Sequence, residues 1–241
     1  MTVSPFDREI VADAAQTLGL TQYHVLHPAW MYQTLQPWWE MRRGLSWLEG
    51  RLRLSPLPAP RVEGLPPHFV AVSFYARSTW PPTSLTAGIA RACIEQIAKQ
   101  CPVILMTSGL HMDDHVDFIP KPLPENVQLL SDLGPVTPET SLTMLSAVMS
   151  RASAFVGTYG GLSHLALRYL VPSVNLYADW GGVLLEHRQL TEAIALQDKV
   201  PYHVLQVTQV PILQDLLPRI SLPASSSRAR QIPVAPQPEM V

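Results

Sequence analysis

Apolar residues group into short runs that alternate with stretches of helical spacing from about residue 68 onward. The runs HFVAVSFY (68–75), PVILMT (102–107) and SAFVG (153–157) are almost wholly apolar. Such runs are typical of strands that are buried on both faces. Between them, residues 85–100 and 137–152 place apolar side chains at helical spacing. This alternation predicts βαβ units around a parallel sheet.

The same alternation continues toward residue 220. We therefore predict a doubly wound, mostly parallel, Rossmann-like α/β sheet of about six strands. Thr137 is the expected N-cap of one helix, with Pro138 at its first position. The remaining predicted elements are a weak strand at 126–132, strands at 172–178 and 202–207, and helices at 160–170, 184–196 and 210–220.

The two ends of the chain differ from this pattern. Residues 1–60 form a short, aromatic-rich segment in which Trp30, Trp38, Trp39 and Trp47 recur at loosely helical spacing. The spacing predicts a few short helices that pack their aromatic side chains, or else a surface that recognises an acceptor or a partner. Five prolines in 54–67 indicate a linker, and the Pro- and Ser-rich tail is predicted to be disordered. The predicted regions are therefore 1–60, 61–220 and 221–241.

Composition excludes several classes of protein. The formal net charge of −2 gives no electrostatic reason to expect nucleic acid as a partner. Cys93 and Cys101 lack metal-ligand spacing and indicate a reducing compartment. The chain has no apolar run of about 18 residues and no signal peptide, so we expect a soluble, cytoplasmic protein without a transmembrane segment.

Three glycines and two hydroxyl residues surround the start of the helix predicted at 160–170. They are Gly157, Thr158, Gly160, Gly161 and Ser163. The N-terminus of a helix carries unsatisfied N–H groups and a positive dipole, and glycines let a ligand approach the backbone, so this layout predicts an anion site. The alternative is a tight turn in which a glycine takes a positive φ. No G-x-G-x-x-G follows the first strand, and GLSHL lacks the last glycine of a nucleophile elbow.

The carboxyl ends of other predicted strands supply further candidates. Arg77 and Ser78 follow the first strand. In a 3-2-1-4-5-6 sheet Arg77 would meet Gly160 and Gly161 at the switch point, whereas the alternative role for Arg77 is a surface ion pair. The loop SGLHMDDHVDF (108–118) could bind a divalent metal or, as we prefer, a base or ribose. Its candidate metal ligands are His111, Asp113, Asp114, His115 and Asp117.

Two more residues are candidates with open alternatives. Glu139 could hold a ribose or sugar hydroxyl, or be a solvated first-turn carboxylate. His164 could reach the crevice or be structural. No metal ligand or catalytic residue is assigned. The predicted binding residues are Arg77, Ser78, Gly109, Asp114, His115, Glu139, Thr158, Tyr159, Gly160, Gly161, Ser163 and His164.

The stretch SRASAFVGTYGGLSHLALRYLVPSVNLYAD resembles the donor-nucleotide half of GT-B glycosyltransferases. Gly161, His164, Leu165 and Ala166 match the G-x-x-H-L-A arrangement of heptosyltransferase-like enzymes, and Arg77 matches their basic residue after the first strand. The resemblance covers about residues 67–210. It implies transfer of a sugar from a nucleoside diphosphate sugar to a glycan or other acceptor, as in polysaccharide biosynthesis, with no metal ion or separate cofactor.

In such an enzyme, Arg77 and the amides of 160–163 would stabilise the leaving diphosphate. About 60 residues precede the predicted domain, too few for a complete first domain. We therefore expect a truncated reading frame, a shortened variant of the enzyme, or a chain that needs a partner domain or a second copy. GTYGG also lacks the acidic residue that many heptosyltransferases carry, which disfavours heptose donors. The alternatives are a nucleotide-sugar epimerase-like enzyme and a non-catalytic binding module.

Overall fold

The computed structural model describes residues 5–22, 62–77, 79–110, 116–179 and 184–207. The chain divides into two compact units, Met1–Leu52 and Arg53–Val241. In the first unit the described part contains helix α1, Pro5–Thr17. The tryptophan-rich stretch, the predicted helix at 210–220 and the tail lie outside the described residues. The region boundaries predicted at 60 and 220 stay predictions.

The second unit contains a six-stranded sheet in which every described pairing is parallel. A separate ribbon of two short antiparallel strands, β2 and β4, lies at residues 75–76 and 116–117. The strands are β1 Val70–Ser73, β2 Tyr75–Ala76, β3 Val103–Leu105, β4 Val116–Asp117, β5 Val127–Leu129, β6 Ala154–Thr158, β7 Ser173–Tyr177 and β8 Tyr202–Gln206. The helices of this unit are α2 Ser84–Ala98, α3 Pro138–Arg151, α4 Gly161–Arg168 and α5 Leu184–Gln197.

The spatial order of the large sheet is β5-β3-β1-β6-β7-β8. Counted along the large sheet alone, this is the order 3-2-1-4-5-6, and the predicted doubly wound, parallel fold class is confirmed. The direction of winding reverses between β1 and β6, which are hydrogen-bonded neighbours. The crevice at the carboxyl ends of two such strands is where open α/β sheets bind ligands.

Burial on both faces explains why the strands read as apolar runs. All five residues of β6 are buried. Val156 lies in a core with Ile94 of α2, whereas Phe155 lies in a second core with Val148 of α3 and Ala166 of α4. A third cluster joins α4 to β7, β8 and α5. No helix among the described residues is long and apolar enough to cross a membrane.

The first predicted strand is shorter than its apolar run. β1 ends at Ser73, and Tyr75 leaves the large sheet to pair with Asp117 of β4. The chain then turns back through a bridge between Arg77 and Trp80, and the Thr79 carbonyl accepts the Ala178 N–H at 2.7 Å. Residues 74–77 and 79–80 thereby follow the carboxyl edge of the sheet. Hydrophobic pattern cannot reveal this exit, because residues 69–75 are buried throughout.

Two helices begin with reciprocal threonine caps. At α3, the Thr137 Oγ1 accepts the Thr140 N–H at 3.3 Å, and the Thr140 Oγ1 accepts the Thr137 N–H at 2.9 Å. Thr83 and Thr86 make the same pair of bonds at α2. The predicted N-cap at Thr137 and the proline at the first helical position are both confirmed.

Candidate functional site

The N-terminus of α4 lies where β6 reaches the carboxyl edge, and most of its first N–H groups are bonded within the protein. Gly160 donates its N–H to the Ser163 Oγ at 3.2 Å, and Ser163 donates its N–H to the Gly160 carbonyl at 3.0 Å. The phenol oxygen of Tyr75 lies where a Cβ on Gly160 would stand, and a hydrogen bond from the Gly161 N–H lowers the pKa of this phenol. The Leu162 N–H has no acceptor among the described residues. The chain's own groups therefore cap most of this helix end.

The glycines before α4 are required for space. A Cβ on Gly157 would overlap the Ser73 carbonyl oxygen and come within 2.8 Å of the Phe155 ring. A Cβ on Gly160 would overlap the Tyr75 hydroxyl. Neither Gly160, at φ 168°, nor Gly161 takes a left-handed conformation, so the positive-φ explanation for the turn is wrong.

Gly161 is different from the other two glycines. No atom lies within 4 Å of the position that a Cβ on Gly161 would take, and the residue is exposed. This is the glycine beside which an external group has room to approach the backbone.

The two hydroxyl residues of the loop point into the protein. Thr158 is fully buried, and its Oγ1 accepts the Tyr75 N–H at 3.3 Å. The Ser163 Oγ donates to the Gly160 carbonyl at 2.6 Å and accepts the Tyr202 hydroxyl at 3.2 Å. Both groups hold the loop against β2 and β8, and their side chains lie away from solvent.

Arg77 and the start of α4 act on the same atom. Burial raises the pKa of the Tyr75 phenol, whereas the positive charge of Arg77 and the Gly161 N–H each lower it. The Arg77 side chain itself is exposed, and it forms no ion pair with any residue that the structure describes. Its alternative role as half of a surface ion pair is not seen in this part of the chain. Arg77 and the start of α4 thus both lower the pKa of the same phenol.

A carboxylate opposes this positive potential from the other side. Asp117 is half-buried and faces Tyr75 across the β2–β4 ribbon, and its charge acts to raise the Tyr75 pKa. The Thr107 Oγ1 donates a hydrogen bond to the Asp117 Oδ2, which fixes the orientation of the carboxylate. Gly109 takes a φ of +66° in the turn after β3, and its N–H lies 3.4 Å from the Thr107 Oγ1.

The proposed metal ligands fall largely outside the described residues. Those not described are His111, Asp113, Asp114 and His115, together with Ser78 of the Arg77 turn. Within the described ranges, no group of three or more His, Cys, Asp or Glu side chains has a metal-binding arrangement.

The two remaining candidates, His164 and Glu139, each make contacts within their own surroundings. His164 is exposed on α4, with its ring edge-on to buried Tyr159 at 5.6 Å and its Nδ1 at 3.5 Å from the Thr191 Oγ1 of α5. Glu139 is exposed and accepts the Thr137 hydroxyl at 2.7 Å, which lowers the pKa of Glu139. Glu139 is thus an exposed carboxylate in the first turn of α3, as its alternative described.

Sequence reasoning missed Tyr75 because it was counted as the end of an apolar strand. It also missed Tyr177 at the end of β7. Burial raises the pKa of the Tyr177 phenol and Arg188 lowers it through its charge and a hydrogen bond. Arg188 forms an ion pair with Glu192, with 2.6 Å between the Nε and Oε1 atoms, on α5. The i,i+4 spacing of these two residues in the sequence could have predicted this pair.

No family model and no curated protein matches the chain. Among solved structures, the glycotransferase of kitacinnamycin matches 70% of this chain and 38% of its own length, at 18% identity and a TM-score of 0.39. The glycosyltransferase SnogD from Streptomyces nogalater matches 90% of this chain and 54% of its own, at 17% identity and a TM-score of 0.41. The chain thus spans about half or less of these two proteins. Both carry the class name of the family that the sequence resembles, and at these values the likeness gives no information on donor, acceptor or catalytic residues.

Proposed function

We propose that the chain binds the diphosphate of a nucleoside diphosphate sugar at the switch point between β1 and β6. In this proposal it forms the donor half of a GT-B-type glycosyltransferase that transfers the sugar to a glycan or other acceptor. The observation that carries the proposal is the pairing of β1 with β6 at the reversal of strand order, because Arg77 and the start of α4 follow these two strands at the carboxyl edge of the sheet. The G-x-x-H-L-A resemblance supplies the reaction class.

The charges at this position suit a leaving diphosphate. Sugar transfer leaves negative charge on the diphosphate, and preorganised donors at that point lower the barrier. Arg77 offers a planar guanidinium that can bind two phosphate oxygens, and it has no competing ion pair among the described residues. The N-terminal amides of α4 add the positive end of the helix dipole. In this proposal these groups take the role that a divalent cation has in other transferases.

Asp117 sets one side of the proposed site. Its carboxylate repels phosphate, so the diphosphate lies on the Arg77 and Gly161 side. A carboxylate that Thr107 already orients can accept hydroxyl groups, and we assign the ribose or sugar hydroxyls of the donor to it.

The first experiment is a thermal-shift screen with UDP, GDP, ADP, CMP and their sugars on the native chain, Arg77→Ala and Arg151→Ala. A ligand of the folded state adds about 2.7 kcal/mol of stability at a hundredfold excess over its Kd. We expect a shift with one nucleoside diphosphate that is lost in Arg77→Ala. Arg151 is an exposed arginine in the last turn of α3, and its variant should keep the shift.

The outcomes separate the proposal from its alternatives. No shift with any nucleotide, or equal shifts in all three proteins, would contradict a donor site at Arg77. When a nucleotide sugar binds, incubation with a mixture of glycan acceptors should release the nucleoside diphosphate and extend the acceptor. A sugar altered without acceptor would indicate an epimerase-like enzyme, and binding without turnover would indicate a binding module.

A further inference from the structure

The phenol of Tyr75 already occupies the position at which the proposed site would hold a phosphate oxygen. Its ring is buried, with 6% of the residue exposed, and its oxygen accepts the Gly161 N–H. Gly160 carries no side chain at the point where the Tyr75 hydroxyl comes closest. Because Gly160 lacks a side chain, the Tyr75 hydroxyl has room to reach the start of α4.

One amide cannot serve two oxygens at the same position. A phosphate oxygen that accepts the Gly161 N–H lies about 2.9 Å from the nitrogen. The Tyr75 hydroxyl already fills the space at the start of α4, against the position that a Cβ on Gly160 would take. We infer that Tyr75 is an internal competitor at the N-terminus of α4, and that its phenol and an anionic ligand exclude each other there. The inference rests on the proposed diphosphate site and concerns its regulation.

The backbone around Tyr75 lets the side chain leave without unfolding the edge of the sheet. The β2–β4 pairing with Asp117 and the bond from the Tyr75 N–H to the Thr158 Oγ1 both involve the main chain of Tyr75. Neither is broken when the ring rotates. The space beside Gly161 holds no atom within 4 Å of its Cβ position, so there is room next to the displaced hydroxyl.

The balance of charges favours the anion once it arrives. Hydrogen bonds to an ionised acceptor are about twice as strong as those to a neutral one, and the helix dipole adds to them. Within the described part of the chain, the groups that act on the phenol include Arg77, the Gly161 amide and Asp117. Displacing the phenol still costs the hydrogen bond that it makes, so the apparent affinity for the anion is reduced by that cost.

The test compares the affinities of UDP and of inorganic diphosphate for the native chain, Tyr75→Phe, Tyr75→Leu and Tyr169→Phe by calorimetry at fixed ionic strength. Removal of the hydroxyl should tighten binding about three- to tenfold, the equivalent of one neutral hydrogen bond. Tyr75→Leu also removes the end of the ring and should bind at least as tightly as Tyr75→Phe. Tyr169 is a buried tyrosine at the other end of α4, and its variant should bind like the native chain.

Amide hydrogen exchange tests the contact without any ligand. The Gly161 N–H should exchange faster in Tyr75→Phe, because its acceptor is gone, and at the native rate in Tyr169→Phe. Unchanged exchange at Gly161, or UDP binding that is equal or weaker in Tyr75→Phe, overturns the inference while native binding keeps the proposed function. Absence of UDP and diphosphate binding in every protein, the Tyr75 variants included, rejects both.

Discussion

Helices α3 and α4 both begin at the carboxyl edge of the sheet. The N-terminus of α3 is capped by residues of its own first turn, whereas that of α4 is capped partly by residues of distant strands. At α3, Thr137 and Thr140 exchange hydrogen bonds with each other, and Glu139 adds a third bond within the same turn. At α4, the Gly161 amide is bonded to Tyr75 of β2, and the Ser163 hydroxyl that caps Gly160 is itself bonded to Tyr202 of β8. One cap is made within four residues, and the other also requires two distant strands, β2 and β8.

The difference shows how the two helix ends depend on the rest of the fold. An exposed local cap forms wherever its few residues take the right backbone angles. A cap supplied from other strands exists only when the strands are assembled, and it needs room for the incoming groups. The glycines at α4 supply that room, so a glycine-rich turn at a helix start has more than one physical cause.

The largest expected effect tests the packing side of this comparison. Gly157→Ala places a methyl group against the Ser73 carbonyl, which is backbone of the neighbouring strand and cannot rotate away. We expect it to lower the free energy of unfolding by about 3 kcal/mol, the upper end of ordinary overpacking. Urea denaturation measures the change.

Gly88→Ala is the matched control, because that glycine lies in α2 with open space around it and should not destabilise the fold. A loss below about 1 kcal/mol for Gly157→Ala would mean that the strands tolerate the methyl, and the space argument would be wrong.

A smaller effect tests the local cap. Thr137→Ala removes the side-chain oxygen that accepts the Thr140 N–H, and it should cost about 1 kcal/mol of stability. It also removes the hydroxyl that holds the pKa of Glu139 down, so NMR titration should find that pKa nearer its ordinary value. Stability should be measured beside Thr83→Ala, which removes the same cap from α2. If Thr137→Ala shifted signals at Tyr75 or Tyr202, the cap of α3 would not be local.

The smallest effect has the opposite sign. Gly161 lies at the first position of α4 with open space beside it, so Gly161→Ala should stabilise the fold by about 0.5 kcal/mol, because alanine loses less backbone entropy than glycine in a helix. The same methyl stands in the space through which a ligand would reach the helix end, so UDP affinity should fall. A gain in stability together with lost binding would separate Gly161 from Gly157. A loss of stability would place all three glycines in one packing role.

Most of the large sheet follows from the hydrophobic pattern. The runs at 102–107, 153–157, 172–178 and 202–207 each contain a strand, and the helices between them begin within a residue or two of their predicted starts. Burial on both faces leaves only apolar residues in these runs, which makes them easy to recognise. The run at 68–75 predicted a strand that is longer than the observed β1. Buried residues continue past the end of β1 at Ser73 into the separate pairing of β2 with β4.

The candidate site was predictable only in part. Arg77 and Gly161 follow strand ends, and the strand order alone brings such positions to one crevice. Tyr75 was not predictable as a site residue, since an aromatic side chain in an apolar run gives no sign of where its hydroxyl points. Thr158 and Ser163 were predicted to bind a ligand, but both hydroxyls face the interior of the protein. A hydroxyl beside a glycine suggests a ligand in the sequence whichever way the side chain faces.

The sequence by itself determined the alternation of strands and helices, the cap of α3, and the edge of the sheet that Arg77 and the glycine turn follow. These depend on periodicity and on contacts within one turn, which every residue carries with it. The tertiary structure decided which oxygen lies next to the Gly161 amide. It also decided that Gly157 and Gly160 have no room for a Cβ, whereas Gly161 has. Those outcomes depend on how closely β1, β2 and β6 approach one another, and that distance is set only when the two apolar cores close on both faces of the sheet.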